Sequence, residues 1–342
     1  MRTLLAADTT AACEPSELGA LSQTCDAYAD RLGESSLRLF RSERTQVAGF
    51  RFREAADSHR LHSAFVRDVA ESFRHADTAR REYQARISLV DQSISEWLPA
   101  NRDKVRTQIV RNTRRRLLTF DPAKDGRVVE VFGDAQAANH VALLIPGMDN
   151  DITDFLGLRV RAENLKAEMA RLAPAGETVA VVLWLGYDTP DLNLPRLLTE
   201  GAGSAKARAG AKDLVDDVGF LRRVNPGGHL SVVGHSYGSV VVGQAMQLGL
   251  DVRNVVVVGS PGMDVQDRRD LKSPAVNLWA TRHRGQDLIP LLPTHGEDPA
   301  APGFHAKRFP SHGVKNHSDY FREGTVALAN IARIATGGTP RT

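Results

Sequence analysis

The sequence has 342 residues, of which 42% are hydrophobic, 25% are charged and only two are cysteines. This composition is typical of a folded globular protein and excludes collagen, a disulfide-rich scaffold and wholesale disorder. The chain contains 44 basic and 41 acidic residues, and the resulting net charge of +3 gives no electrostatic case for a nucleic-acid partner. No apolar run approaches the ~18 residues of a membrane span, and the length suggests two domains.

Residues 1–120 are predicted to form a helical N-terminal domain without strands. Apolar residues recur there at steps of three or four, as at Leu61, Phe65, Val69 and Phe73, and this spacing predicts amphipathic helices. The predicted helices cover about 15–41, 44–85, 86–97 and 100–117.

Three further features of the N-terminal region indicate no particular function. Cys13 and Cys25 are too few for a zinc site and are expected to be reduced thiols, with a single disulfide bridge as the alternative. The first residues lack the uninterrupted apolar run of a secretory signal, so the cytoplasm is the expected compartment and non-classical export the alternative. The basic run over 102–116 lacks interleaved aromatic residues and is interpreted as a solvated helix face.

From residue 121 to residue 342 the sequence predicts a second domain in which strands alternate with helices. The strands are nearly continuous β-branched runs, and such strands are typical of a mostly parallel sheet covered by helices on both faces. The loop over 188–210 is long enough to act as a lid or pocket wall. The predicted strands cover 127–132, 140–145, 178–185, 229–233, 254–258 and 275–280, and the predicted helices cover about 151–172, 205–223, 237–249 and 319–336.

The segment GHSYG at residues 234–238 follows a predicted strand directly and opens a predicted helix. This context is that of a nucleophile elbow, in which a serine lies in a strained turn between flanking glycines. Ser236 is therefore the candidate nucleophile. The backbone amides of Tyr237 and of Met148, which lies in a Pro-Gly-Met segment after strand 140–145, are the candidate oxyanion donors.

A serine nucleophile needs a base and an acid, and in this arrangement the acid precedes the histidine in the chain. His317 lies in a loop just before the last predicted helix and is the candidate base. Asp287 follows the last predicted strand and is the preferred acid, while Asp264, after the preceding strand, is the alternative. The other downstream histidines are expected to be solvated loop residues: His283, His295, His305 and His312.

Six segments in order over residues 120–325 resemble an actinobacterial branch of the α/β hydrolases: FDPAKDGRVVEVFGD, HVALLIPGMDND, WLGYDTP, VVGHSYGSVVVG, VVVVGSPGMDV and NHSDYF. The resemblance implies an α/β-hydrolase fold with Ser236 as nucleophile and His317 as base, and it implies no particular substrate. The N-terminal region is similar, more loosely, to helical-hairpin proteins exported by type VII secretion. The corresponding turn at 48–57 lacks their Trp-x-Gly, and Tyr83 is followed by Ile87 where their export signal has an acid.

The sequence therefore predicts a serine hydrolase that cleaves a small-molecule carboxylic ester or thioester without a metal or another cofactor. The N-terminal helices are expected to pack against the catalytic domain or to contact a protein partner or a second copy of the chain. Two alternatives remain open at this point. One is a non-catalytic interaction or scaffold module with a hydrolase-like fold, and the other is an acyltransferase that uses an acceptor other than water.

Overall fold

An eight-stranded sheet forms the centre of the computed structural model, which describes residues 55–100, 117–123, 126–148, 155–190, 204–273, 276–283 and 295–341. The α-helices and strands are, in chain order, α1 (Ala55–Ala100), β1 (Leu117–Asp121), β2 (Arg127–Phe132), β3 (His140–Ile145), α2 (Phe155–Leu172), β4 (Val179–Leu185), α3 (Ala205–Val224), β5 (His229–His235), α4 (Gly238–Gln247), β6 (Asn254–Val258), β7 (Gly262–Val265), β8 (Asn277–Thr281), β9 (His295–Gly296), β10 (Lys307–Arg308) and α5 (Val326–Ala335).

The strands of the main sheet lie in the order β1-β2-β4-β3-β5-β6-β8-β10. Strands β4, β3, β5, β6, β8 and β10 are mutually parallel, whereas β1 and β2 run antiparallel to their neighbours. A separate two-stranded sheet pairs β7 with β9. The predicted mostly parallel sheet with helices on both faces is confirmed.

Alternation of side chains along the strands divides the interior into two cores. On β3, Leu143 and Ile145 face the core beneath α3 and α4, whereas Ala142 and Leu144 face the core beneath α2 and α5. Every residue of β3 is buried, which explains why its sequence after His140 is apolar without alternation. The carboxyl ends of the parallel strands carry the turns that lead to the candidate active site.

Helix α1 covers the β1 edge of the sheet and contributes to both cores. Ala79 and Tyr83 belong to the core beneath α3 and α4, and Ile94 belongs to the core beneath α2 and α5. The Tyr83 ring stacks on Phe220 of α3, with a centroid distance of 6.1 Å and an interplanar angle of 7°. An otherwise open sheet edge is thereby shielded from pairing with another chain.

Arg86 of α1 connects the helix to two other elements, β1 and α3. Its Nε donates to the carbonyl of Leu118 and its Nη2 to the hydroxyl of Thr119, each at 2.8 Å. Its Nη1 donates to Oδ1 of Asp217 on α3 at 2.8 Å, and Trp184 of β4 donates to the other carboxylate oxygen at the same distance. These bonds fix α1 against β1 and α3, and Asp217 also ties α3 to β4.

Several elements differ from those predicted, and strands β7, β9 and β10 were not predicted. Helix α1 continues through residues 85 and 86, where two helices were expected. Strand β1 begins at Leu117, inside the region expected to be entirely helical, because Leu117 and Leu118 are buried against the cores. The last helix begins at Val326, and a short 3₁₀ helix over Asp319–Phe321 occupies the start of the predicted span.

Several predictions concern residues outside the described ranges. These are the helix over 15–41, nearly all of the helix over 100–117, the basic run over 102–116, and Cys13 and Cys25. Most of the turn at 48–57 and of the loop over 188–210 also lies outside them. Among the helices that the structure describes, none combines the length and apolar character needed to cross a membrane.

Candidate active site

Ser236 lies in a tight turn between β5, which ends at His235, and α4, which begins at Gly238. Its φ is 55°, in the left-handed region that non-glycine residues rarely adopt. The turn is fixed on both sides, since the Ser236 amide donates to the Val258 carbonyl at 3.0 Å and the Ser236 carbonyl accepts from the Ser239 amide at 2.9 Å. The strand, strained turn and helix of a nucleophile elbow are thus present at this serine.

Two glycines allow the turn to pack closely against its surroundings. A Cβ atom on Gly238 would lie 2.4 Å from the Ile145 carbonyl oxygen and 2.6 Å from that of Pro146. A Cβ atom on Gly234 would lie 3.0 Å from the Cα of Ser239. Side chains at these positions would separate the turn from the end of β3 or from the start of α4.

The segment Pro146-Gly147-Met148 after β3 lies directly against Ser236. A Cβ atom on Gly147 would lie 2.5 Å from the Cβ of Ser236 and 3.0 Å from its Oγ. The hydroxyl of Tyr187 donates to the Pro146 carbonyl at 2.7 Å and anchors the segment. Met148 packs, partly buried, against the core beneath α3 and α4. The predicted second oxyanion donor therefore belongs to a segment that contacts the candidate nucleophile.

Three stacked aromatic rings lie in the core next to the elbow. The ring of Tyr237 lies 6.3 Å from that of Tyr187, which in turn lies 6.1 Å from the ring of Trp184. All three side chains are buried, so Trp184 and Tyr187 are core residues and do not line an open pocket. Burial raises the pKa of the Tyr237 and Tyr187 hydroxyls, which keeps both phenols neutral.

His317 lies next to the elbow, in the loop between β10 and α5. Its backbone carbonyl accepts a 2.7 Å hydrogen bond from Nε2 of His235, and the two imidazole rings are 4.7 Å apart. This contact brings the loop of His317 against the residue that immediately precedes Ser236. Asp287, the preferred acid, lies outside the described residues.

Asp264, the alternative acid, follows β6 and is bonded to a different histidine. Its Oδ1 lies 2.8 Å from Nδ1 of His295, and its Oδ2 accepts from Nε2 of Gln244 at 2.7 Å. Burial acts to raise the pKa of the Asp264 carboxyl, but hydrogen bonds from His295, Ser204 and Gln244 outweigh it and hold the pKa below its usual value. Among the described residues, the carboxylate is thus engaged with partners other than the candidate base.

The expectation that His295 is a solvated loop residue is wrong. His295 is 2% exposed, because β9 pairs with β7 opposite Gly262 and brings the ring under the elbow. The ring meets that of Tyr237 edge to face at a centroid distance of 5.3 Å. Nothing in the surrounding sequence shows a strand pattern, since β9 has only two residues. Of the other three histidines that were expected to be solvated, His305 and His312 are exposed and His283 is half-buried.

No group of three or more His, Cys, Asp or Glu side chains within the described ranges could hold a metal ion. The segments that meet Ser236 and its neighbour His235 are instead Pro146-Gly147-Met148 and the loop of His317.

Comparisons with known proteins show which family the chain belongs to. The sequence model of the alpha/beta hydrolases matches residues 121–295. The chain is similar to the uncharacterized protein Rv2079 of Mycobacterium tuberculosis, with 27% identity over 318 residues covering 80% of this chain and 48% of that protein. It is also similar to the uncharacterized protein Rv0963c of the same organism, with 33% identity over 159 residues covering 44% and 58% of the two chains. The chain thus spans about half the length of these curated relatives.

Among solved structures, a carboxylesterase from Mesorhizobium loti is 14% identical, with a TM-score of 0.37 and coverage of 64% of this chain and 98% of that one. The serine hydrolase XC6422 from Xanthomonas campestris is 16% identical, with a TM-score of 0.34 and coverage of 66% and 95%. The match to the sequence model extends over more than half of the chain, from β1 to β9. The chain therefore belongs to the alpha/beta hydrolase family.

Proposed function

We propose that the protein is a serine hydrolase that cleaves a carboxylic ester or thioester through an acyl-enzyme on Ser236. One observation carries the proposal, the strained and closely packed turn at Ser236. Ser236 adopts a φ of 55° between β5 and α4, and the backbone of Gly147 approaches its Oγ so closely that a side chain at position 147 would not fit. A serine held in such a conformation costs stability, and strained residues of this kind cluster at active sites. Membership of the alpha/beta hydrolase family supports the same assignment.

In the acylation step, Oγ of Ser236 attacks the acyl carbonyl carbon while His317 accepts the hydroxyl proton. The carbonyl π electrons move to the oxygen, and the amides of Tyr237 and Met148 stabilise this oxyanion. When the tetrahedral intermediate collapses, the bond to the alcohol or thiol breaks, and the protonated His317 returns the proton to the leaving group. Asp287 orients the imidazole and stabilises its charged form.

In the deacylation step, His317 accepts a proton from water, whose oxygen attacks the acyl carbon. The same two amides stabilise the second oxyanion, and collapse releases the carboxylic acid and returns the proton to Oγ of Ser236. Both tyrosine rings beneath the elbow are neutral and buried, so they support the turn without exchanging protons. An ester or thioester is the proposed substrate because carboxylester hydrolysis is the chemistry most often performed by this type of elbow.

Labelling with a fluorophosphonate tests the proposal directly, because the probe phosphonylates an activated serine with loss of fluoride. The wild-type chain is expected to gain one adduct by intact mass spectrometry, and Ser236→Ala is expected to gain none. A series of p-nitrophenyl esters then measures turnover and the preferred acyl length. A folded wild-type chain that takes up no probe and hydrolyses no ester would refute the proposal and favour a non-catalytic module.

The same ester assay separates hydrolysis from acyl transfer. With a small alcohol added, a hydrolase releases the free acid as its main product, whereas an acyltransferase releases mainly the new ester. Mass spectrometry of the products measures this ratio.

A further inference from the structure

We propose that His235 is a positioning residue, which holds the loop of His317 at the distance from Ser236 that proton transfer requires. This inference rests on the proposed function. His235 is the second residue of the GHSYG segment, and its side chain has no role in the mechanism described above. It acts through His317 and is not itself expected to touch the substrate.

The first support is a direct connection between the two histidines. Nε2 of His235 donates to the backbone carbonyl of His317 at 2.7 Å, and the rings lie 4.7 Å apart with an interplanar angle of 34°. His235 is adjacent to Ser236 in the chain, so the bond links the base to the nucleophile through a single residue. An error of 1 Å in such a separation lowers the rate by about 100-fold.

The second support is the lack of regular structure around His317. The strand before it, β10, has two residues, and the 3₁₀ helix after it has three. Local bonds shape the loop, since Asn316 accepts from the amides of Ser318 and Asp319 at 2.9 and 3.2 Å. Those bonds remain within the loop and do not fix it against β5. The hydrogen bond from His235 joins the loop to β5.

The third support is the protonation state that burial imposes on His235. Its Nδ1 is shielded from solvent and has no hydrogen-bond partner among the described residues, so the ring carries its proton on Nε2. Burial first, and then the charges of His317 and Arg161, lower the pKa of His235 well below the usual value. The aromatic rings of Tyr320 and Phe321 cover other sides of the imidazole. A neutral His235 donates to the loop without repelling the imidazolium that forms on His317.

Three variants test whether the hydrogen-bond donor at the Nε2 position of residue 235 is what positions the loop of His317. His235→Gln places an amide N–H at a similar reach, whereas His235→Met fills the space without a donor and His235→Asn has a donor that is too short. We expect His235→Gln to keep the rate of fluorophosphonate labelling and kcat within about threefold of wild type. We expect both other variants to lose about 10- to 100-fold in labelling rate and kcat with little change in KM.

The outcomes distinguish this inference from the proposed function. An unlabelled wild-type chain overturns both. A labelled wild-type chain with equally fast labelling of folded His235→Met or His235→Asn overturns the positioning role alone. Equal losses in all three folded variants also overturn it, because rescue by glutamine is the result that packing alone does not produce. Circular dichroism and thermal melting of each variant report folding, and the Asn variant replaces the Met variant if the latter does not fold.

Discussion

At the residue scale, Gly147 packs against Ser236 with no room for a side chain. Gly147→Ala would place a methyl group 2.5 Å from the Cβ of Ser236 and 3.0 Å from its Oγ, so one of the two segments must move. We expect the variant to lose about 100-fold or more in kcat and in fluorophosphonate labelling, since both depend on the position of the hydroxyl relative to the oxyanion donors.

Gly157 provides a matched control for this substitution. It lies on an exposed turn of α2, and a Cβ atom there would meet no other atom within 4 Å. Gly157→Ala should leave activity unchanged and raise the free energy of unfolding by about 0.5–1 kcal/mol, because alanine favours the helix. Wild-type labelling by Gly147→Ala would show that the two segments do not act together.

The choice between the two candidate acids can be decided by paired substitutions. Asp287→Asn should lower kcat by about 10⁴-fold with little loss of stability, as expected when the group that orients a catalytic histidine becomes neutral. Asp264→Asn should change kcat less than about 10-fold but lower the free energy of unfolding by about 1–2 kcal/mol, because Asp264 bonds to the buried His295 and to Gln244. The opposite pattern in ester turnover and urea unfolding would identify Asp264 as the acid.

Burial of His235 also predicts a pH dependence of stability. The folded chain keeps this ring neutral, whereas the unfolded chain protonates it below pH 6.5, so the folded state loses stability as the pH falls below that value. The contribution approaches about 1.4 kcal/mol per pH unit for one histidine. We expect urea unfolding of His235→Gln to show a shallower decline than wild type between pH 6.5 and 5. Parallel curves would mean that His235 is protonated in the folded chain.

At the scale of elements, the junction of α1 with the sheet depends on Arg86. Its guanidinium makes hydrogen bonds to the Leu118 carbonyl, the Thr119 hydroxyl and the Asp217 carboxylate. Arg86→Ala should lower the free energy of unfolding by about 1–3 kcal/mol, since it leaves partly buried acceptors without a donor. Urea denaturation monitored by circular dichroism measures the change.

Arg81 on the same helix is the control. Its side chain is 71% exposed and, within the described part of the chain, pairs only with Asp77 and Thr78 of α1, so Arg81→Ala should change the free energy of unfolding by less than about 0.5 kcal/mol. Equal effects of the two alanine substitutions would indicate that the contacts of Arg86 with β1 and α3 contribute nothing.

The sequence predicts those elements whose own residues show an apolar, β-branched or turn-forming pattern. β2, β3 and β6 have the predicted bounds because β-branched or apolar residues make up most of each strand, and the turn at Ser236 follows from its glycines. β9 could not be found in this way, since two residues carry no periodicity and its position depends on pairing with β7. The pairings of Asp264 with His295 and of Arg86 with Asp217 link residues 31 and 131 positions apart, which no local pattern reveals.

At the scale of the whole molecule, α1 and the sheet are expected to unfold together. Tyr83 packs in one core and Ile94 in the other, so helix and sheet share both apolar interiors. Leu89, between them, is 64% exposed. If α1 were an independent unit, it would unfold in a transition of its own and leave the site at Ser236 intact.

Alanine substitutions on α1 separate the two cases. Ile94→Ala should lower the free energy of unfolding of the whole chain by about 2–5 kcal/mol, whereas Leu89→Ala should change it by less than about 0.5 kcal/mol. In Ile94→Ala, helical circular dichroism and labelling of Ser236 should be lost at the same, lower urea concentration. Loss of helical signal at a concentration where labelling persists would make α1 a separate folding unit. A single transition would mean that the helix covering β1 also stabilises the strained turn at Ser236.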